Sequence, residues 1–158
     1  MTLDFRAPGQ FCRLLHDRNF GIFMQHWYSY HSEKTTGHTY ASTGGLGMYL
    51  TRASKKLEGG DIIWVVEGNN DTPKSFFLVD CFKYVDAELP PFAPSYSRFA
   101  IQILGRHSLL RSPILLNHAD KWFSDLHGRF ITKQKFFHRL EKEPELVEGL
   151  CTASGIKF

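Results

Sequence analysis

Cysteine is scarce in this chain and poorly placed for cross-linking. Cys12, Cys81 and Cys151 are odd in number, far apart and without a CxxC pair, so neither a disulfide framework nor a structural zinc site is suggested. No apolar run approaches the length of a membrane span, and no N-terminal apolar stretch precedes a small-residue cleavage site. The setting expected from these absences is cytoplasmic, with no membrane partner. Phosphate-cradling motifs are missing as well. Ser42-Thr43-Gly44-Gly45-Leu46-Gly47 is glycine-rich, but it lacks the lysine and the strand–turn–helix frame that such loops need. His26, His31 and His38 lie near one another without HExxH spacing or a compact Cys/His set, and they read as satisfied or exposed imidazoles. No GxSxG elbow holds a serine, and the 16 acidic residues form no compact nuclease constellation. No catalytic residue, metal or cofactor is therefore expected within the chain.

Aromatic side chains are the surplus. Fourteen Phe, six Tyr and three Trp make up 15% of 158 residues, enough to fill a core and still furnish a stacking site. The formal charge is +3 and the isoelectric point about 8.8, compatible with a polyanionic partner without demanding one. The length fits a single domain over residues 1–158.

The chain opens with a loop-like stretch, MTLDFRAPGQ, and a helical turn or two in FCRLLHDRN. FGIFMQHWYSY, residues 20–30, alternates as a strand: Phe23, Gln25, Trp27 and Ser29 share one face, and Met24, His26, Tyr28 and Tyr30 the other. Residues 31–47 are polar and glycine-bearing, which predicts a surface excursion carrying an exposed Tyr40. A short helix or irregular segment follows through Lys55 and Lys56. IIWVVEG and SFFLVDCFKYVD read as strands joined by a hairpin loop, NNDTPK. LPPFAPSYS has too many prolines for a sheet interior. SRFAIQILGR gives another strand, ending in a turn at Gly105. A helix is predicted to start at Ser112-Pro113 or nearer Asn117 and to stop at Gly128. A second helix is predicted from Thr132 over TKQKFFHRLEKE, with Phe136 and Leu140 on one side. Pro144 starts or breaks a last segment ending near Gly149. The fold class expected is α+β. Four or five strands, mainly within 20–104, curl into a small, partly closed mixed β-barrel, with short helices mainly within 109–148.

With enzyme motifs lacking, recognition becomes the leading function. Aromatics beside basic residues stack nucleobases, at about 1–3 kcal/mol per base. A base extruded from a duplex needs a snug pocket with stacking and edge hydrogen bonds. Trp27, Tyr30 and Trp64 are the candidates for stacking, although for Trp64 taken alone the core reading is slightly favoured. Tyr40 is a candidate lid or wall, and Asn69, Asn70 and Asp71 are candidates for edge contacts. Arg52, Lys55, Lys56 and Arg98 are candidate phosphate ligands, with Arg106 and Arg111 in a second basic group. Lys133, Lys135, His138 and Arg139 form a third group on the last predicted helix.

Leu57-Glu58-Gly59-Gly60-Asp61-Ile62-Ile63-Trp64-Val65-Val66 places a barrel strand behind a glycine–aspartate turn, and Phe76 to Phe82 supply its return strand. With the proline-rich connection and later helices, this pattern resembles the PUA-like superfamily, and within it the EVE, YTH and ASCH group. The resemblance implies a curled barrel flanked by helices and, in several relatives, an aromatic cage for a modified base. Some such modules are the specificity part of modification-dependent restriction enzymes. By that analogy Trp27 and Trp64 belong at a cage. The implied partners are nucleic acid, DNA ahead of RNA, and a nuclease domain or subunit. A protein-interaction module and a small nucleotide- or RNA-processing enzyme are the alternatives.

Overall fold

Ile62-Ile63-Trp64-Val65-Val66 is apolar at both alternations, so a strand built from it must be covered on both faces. The computed structural model, which describes residues 24–50, 56–88 and 101–158, shows how this is done. Among the described residues seven strands form one sheet: β1 (His26–Ser32), β2 (Gly47–Leu50), β3 (Ile62–Gly68), β4 (Phe76–Glu88), β5 (Ile101–Ser108), β6 (Ile114–Leu116) and β7 (Phe137–Arg139). Their order is β2-β5-β4-β3-β1-β7, with β6 pairing β4 off this path. β1 runs parallel to β3, and every other pair is antiparallel. Among the described residues the α-helices are α1 (Glu33–Thr36), α2 (Lys121–Leu126) and α3 (Pro144–Ser154), with a 3-10 turn at Ala41–Thr43 and a π-helical turn at His127–Ile131. None of the described helices is long and apolar enough to cross a membrane.

Curling is built into the long β4. Its first residues pair with β6, its later ones with β5, and the register slips between Phe82 and Tyr84 and again between Tyr84 and Asp86. A further slip lies between Val65 and Val66. Such irregularities bend a strand and raise its twist. The sheet becomes a mixed half-barrel flanked by short helices, an α+β fold.

Two cores follow from the two faces. The concave one gathers Trp27, Ile63, Val65, Met48, Leu50, Phe82 and Ile103. These side chains run as a continuous row across β2, β5, β4, β3 and β1 on one face of the sheet. The convex one gathers Tyr28, Trp64, Val66 and Leu78 under Phe123 and Leu126 of α2 and Leu146 and Leu150 of α3. Each buried face is worth tens of cal/mol per Å², about 25 by area.

Several local expectations are corrected. Residues 31–47 are not merely a surface excursion: Ser32 caps α1 by accepting from Thr35 N, Gly37 ends it in the left-handed region, and Gly47 opens β2. Gly105 is not a turn but lies inside β5, where the Phe82 ring packs so closely that a Cβ would collide with it. The strands also continue beyond residue 104. Residues 114–116 pair with β4, and the helix predicted there begins only at Lys121. The helix predicted from Thr132 is absent. Phe137–Arg139 is a strand, because the alternation Phe137/Arg139 against Phe136/His138/Leu140 finds a partner in β1. Gly149 does not end the last helix. It sits within α3 where the Trp122 ring of α2 leaves no room for a side chain. The predicted elements before Met24 and the proline-rich stretch lie outside the described residues.

Candidate functional site

The two ends of the strand order face each other. β2 and β7 both border a cavity of about 790 Å³, within the usual range for small-molecule sites of about 300–1,000 Å³. Met48, Tyr49 and Leu50 line one side, Phe137 to Arg139 the other, and Trp27 and Tyr30 of β1 lie between. The cavity is the open seam of the half-barrel.

Two aromatic pairs define its walls. Trp27 stacks on Phe137, with centroids 4.9 Å apart and planes 13° from parallel. Tyr30 stacks on Phe136 at 5.4 Å and 24°. Phe136 is 44% exposed, so its outer face is available. The Trp27 ring is held by the glycine–aspartate turn before β3. Asp61 is buried and accepts hydrogen bonds from Trp27 Nε1 at 2.9 Å, from Gln25 N at 3.1 Å and from Glu58 N at 3.0 Å. Gly60, at φ 94°, allows the tight turn that brings this carboxylate inward.

A second carboxylate fixes the segment between α1 and β2. Asp80 is buried and accepts from Tyr40 Oη at 2.7 Å, Leu46 N at 3.0 Å, Cys81 N at 2.8 Å and Ser108 Oγ. Tyr40 N donates to Glu67 at 2.6 Å. His31 Nε2 sits 2.8 Å from His38 O and 3.5 Å from the same Glu67 carboxylate. Burial, reinforced by the adjacent Asp80 charge, pushes the Tyr40 phenol well above its ordinary range. The wall containing His31, Thr36 and Met48 is thereby anchored from behind.

Charge at the mouth favours an anion. Lys56, Lys135, Arg139 and Lys142 line the cavity with Glu141 and Glu143. Glu141 is engaged by Arg139 at 2.9 Å, and Glu143 by Arg129. Lys56, Lys135 and Lys142 make no ion pair among the described residues. His138 is pushed down chiefly by burial, then by Lys135, with Glu143 opposing and Arg129 adding to the effect. It tends to stay neutral between these cations.

The structure brings some of the residues singled out in the sequence to this cavity and sets others apart. Trp27, Tyr30 and Lys56 line the cavity. Trp64 lies on the convex face, sealed at 0% exposure, where its Nε1 donates to His26 Nδ1 at 3.0 Å. Tyr40 is 3% exposed rather than a projecting lid. Asn69, Asn70 and Asp71 bond within their own turn and to Glu33, away from the cavity. Arg106 and Arg111 are exposed and do not border it. Arg52, Lys55 and Arg98 fall outside the described residues. Phe136 and Phe137 were missed as walls, because the stretch around them fits a helical pattern as well as an extended one. Among the described residues, no three His, Cys, Asp or Glu side chains gather as a metal site.

No protein-family model matches the chain, and no curated protein matches it either. The cavity must therefore be interpreted from its own chemistry.

Proposed function

We propose that the chain is a nucleic-acid-binding module of PUA-like type that takes one base, modified or unmodified, into the seam between β2 and β7. Stacked aromatic walls beneath a rim of lysines that make no ion pair among the described residues carry this reading. Phe136, stacked on Tyr30 and 44% exposed, offers a flat apolar face to a heterocycle, and Phe137 lies over the buried Trp27 as the floor. Lys56 and Lys142 line the cavity and would meet the phosphates on either side of the base. The base leaves its stack to enter, and the cavity compensates by stacking and by excluding water. The module supplies specificity, with DNA ahead of RNA and cleavage left to a nuclease domain or subunit. No catalytic group or cofactor of this chain is invoked.

A protein-interaction module is the second reading. The edge of β7, which pairs with no further strand among the described residues, and Leu115, 63% exposed on β6, favour it, because open strands accept extended peptides.

Fluorescence binding separates the two. Single- and double-stranded DNA and RNA, with and without base modification, are titrated across a salt series. The proposal expects affinity that falls steeply with salt and differs among bases. Absence of binding to every oligonucleotide at low salt would refute it.

A further inference from the structure

Stacking alone does not recognise the edge of a base, and the asparagines of the β3–β4 turn are too far from the seam to do so. The ladder between β1 and β7 shows what stands there instead. Tyr30 N donates to Phe136 O, and Leu140 N donates to His26 O, with Tyr28 opposite His138 between them. Residues 136, 138 and 140 therefore turn their backbone groups towards β1. By the alternation of an antiparallel pair, Phe137 and Arg139 turn their N–H and C=O the other way. β7 ends the strand order, so among the described residues no strand meets these groups. Both residues line the cavity.

A carbonyl at one position and an amide two residues on, along the same side of an extended strand, make an acceptor and a donor side by side. The matching ligand is a planar heterocycle with an N–H donor next to an acceptor. The amidine edge of adenine or cytosine has this form, and so does the lactam edge of guanine or thymine. Side-chain placement supports the same orientation. Phe136 and Phe137 point to opposite faces of β7, each with its stacking partner on β1, and both line the cavity. A flat ring continuing the plane of the sheet beyond β7 would lie between them, with its edge against the strand.

We propose that the Phe137 carbonyl and the Arg139 amide read the hydrogen-bonding edge of the base held in the seam. This rests on the base-binding reading above and adds the atoms that recognise the ligand. An extended peptide could use the same backbone groups; the lysine-rich mouth favours the phosphate-bearing ligand instead.

The test compares Arg139→Pro with Arg139→Ala, using dye-labelled mixed-sequence DNA in single- and double-stranded form. Both variants lose the guanidinium, but only proline also loses the N–H. Proline is tolerated on an edge strand whose N–H faces outward. The expected result is binding about five- to tenfold weaker for the proline variant than for the alanine variant, the size of one hydrogen bond. In the wild-type protein the Arg139 amide should also exchange more slowly with solvent when DNA is added, which decides the matter if the proline variant does not fold. Equal affinity of the two variants, or unchanged Arg139 exchange in DNA-bound wild type, overturns edge readout while leaving base binding intact. Failure of the wild type to bind any DNA or RNA overturns both. Protection of this amide by an extended peptide and not by DNA overturns them in favour of strand addition.

Discussion

Trp27 lies opposite Ile63, and Trp64 lies opposite Tyr28, so the two indoles project from opposite faces of the parallel β1–β3 pair. Each indole N–H has its own buried acceptor: Asp61 for Trp27 and His26 for Trp64. One ring floors the seam, and the other is packed beneath the helices. Replacement should separate the roles. Trp64→Ala is expected to cost about 3–5 kcal/mol of stability, measured by urea unfolding. Trp64→Phe should lower the melting temperature while the folded protein keeps its affinity for DNA. Trp27→Phe should weaken DNA binding several-fold.

His26 gives stability a pH dependence. Burial pulls its pKa down to about 4 from 6.5, against the opposing influence of Asp61. A depressed histidine takes up its proton more readily in the unfolded chain. Its contribution is therefore flat above pH 6.5, and stability falls as pH drops from 6.5 towards 4. The loss near pH 4 is about 3 kcal/mol. Urea unfolding at several pH values should show this slope, and His26→Gln, which keeps an acceptor for Trp64, should reduce it. His127 and His138 are also shifted down, chiefly by burial, and should account for what remains.

Asp80 holds the segment before β2 through Tyr40, Leu46 and Ser108. Asp80→Ala leaves several buried donors without an acceptor and is expected to cost about 3–5 kcal/mol. Tyr40→Phe removes one donor and should cost about 1–2 kcal/mol. In the double variant the two losses should add to less than their sum, because they share one hydrogen bond.

Gly149→Ala places a methyl group against the Trp122 ring and should destabilise the α2–α3 contact by about 1–3 kcal/mol. Adding Trp122→Ala should make the Gly149→Ala change nearly neutral, as read by thermal unfolding.

Charge at the seam can be distinguished from charge elsewhere. Lys56→Ala and Lys142→Ala should each lower the slope of log affinity against log salt by about 0.7–0.9. Arg111→Ala, exposed but away from the cavity, should leave that slope unchanged.

Much of the sheet was legible because its signals are local. The apolar run of β3, its return strand and the alternation of β1 follow from side-chain periodicity, which no distant contact has to supply. A barrel-like α+β fold was readable for the same reason. The strand at Phe137 was not, since three residues among Lys, Gln and Glu satisfy a helical pattern as well as an extended one, and only the free edge of β1 selects between them. Gly105 and Gly149 misled in the same way: each looked like a stop, and each makes room for a ring from a distant element. The sequence by itself determined which residues are aromatic, which strands must be buried on both faces, and that Trp27 and Tyr28 point apart. The β1–β3 register decided that Trp27 and Trp64 take opposite faces, and the curl of the sheet decided that β2 and β7 would border one cavity with Trp27. Curl accumulates from bulges and cross-strand register, and neither is encoded in any short stretch of chain.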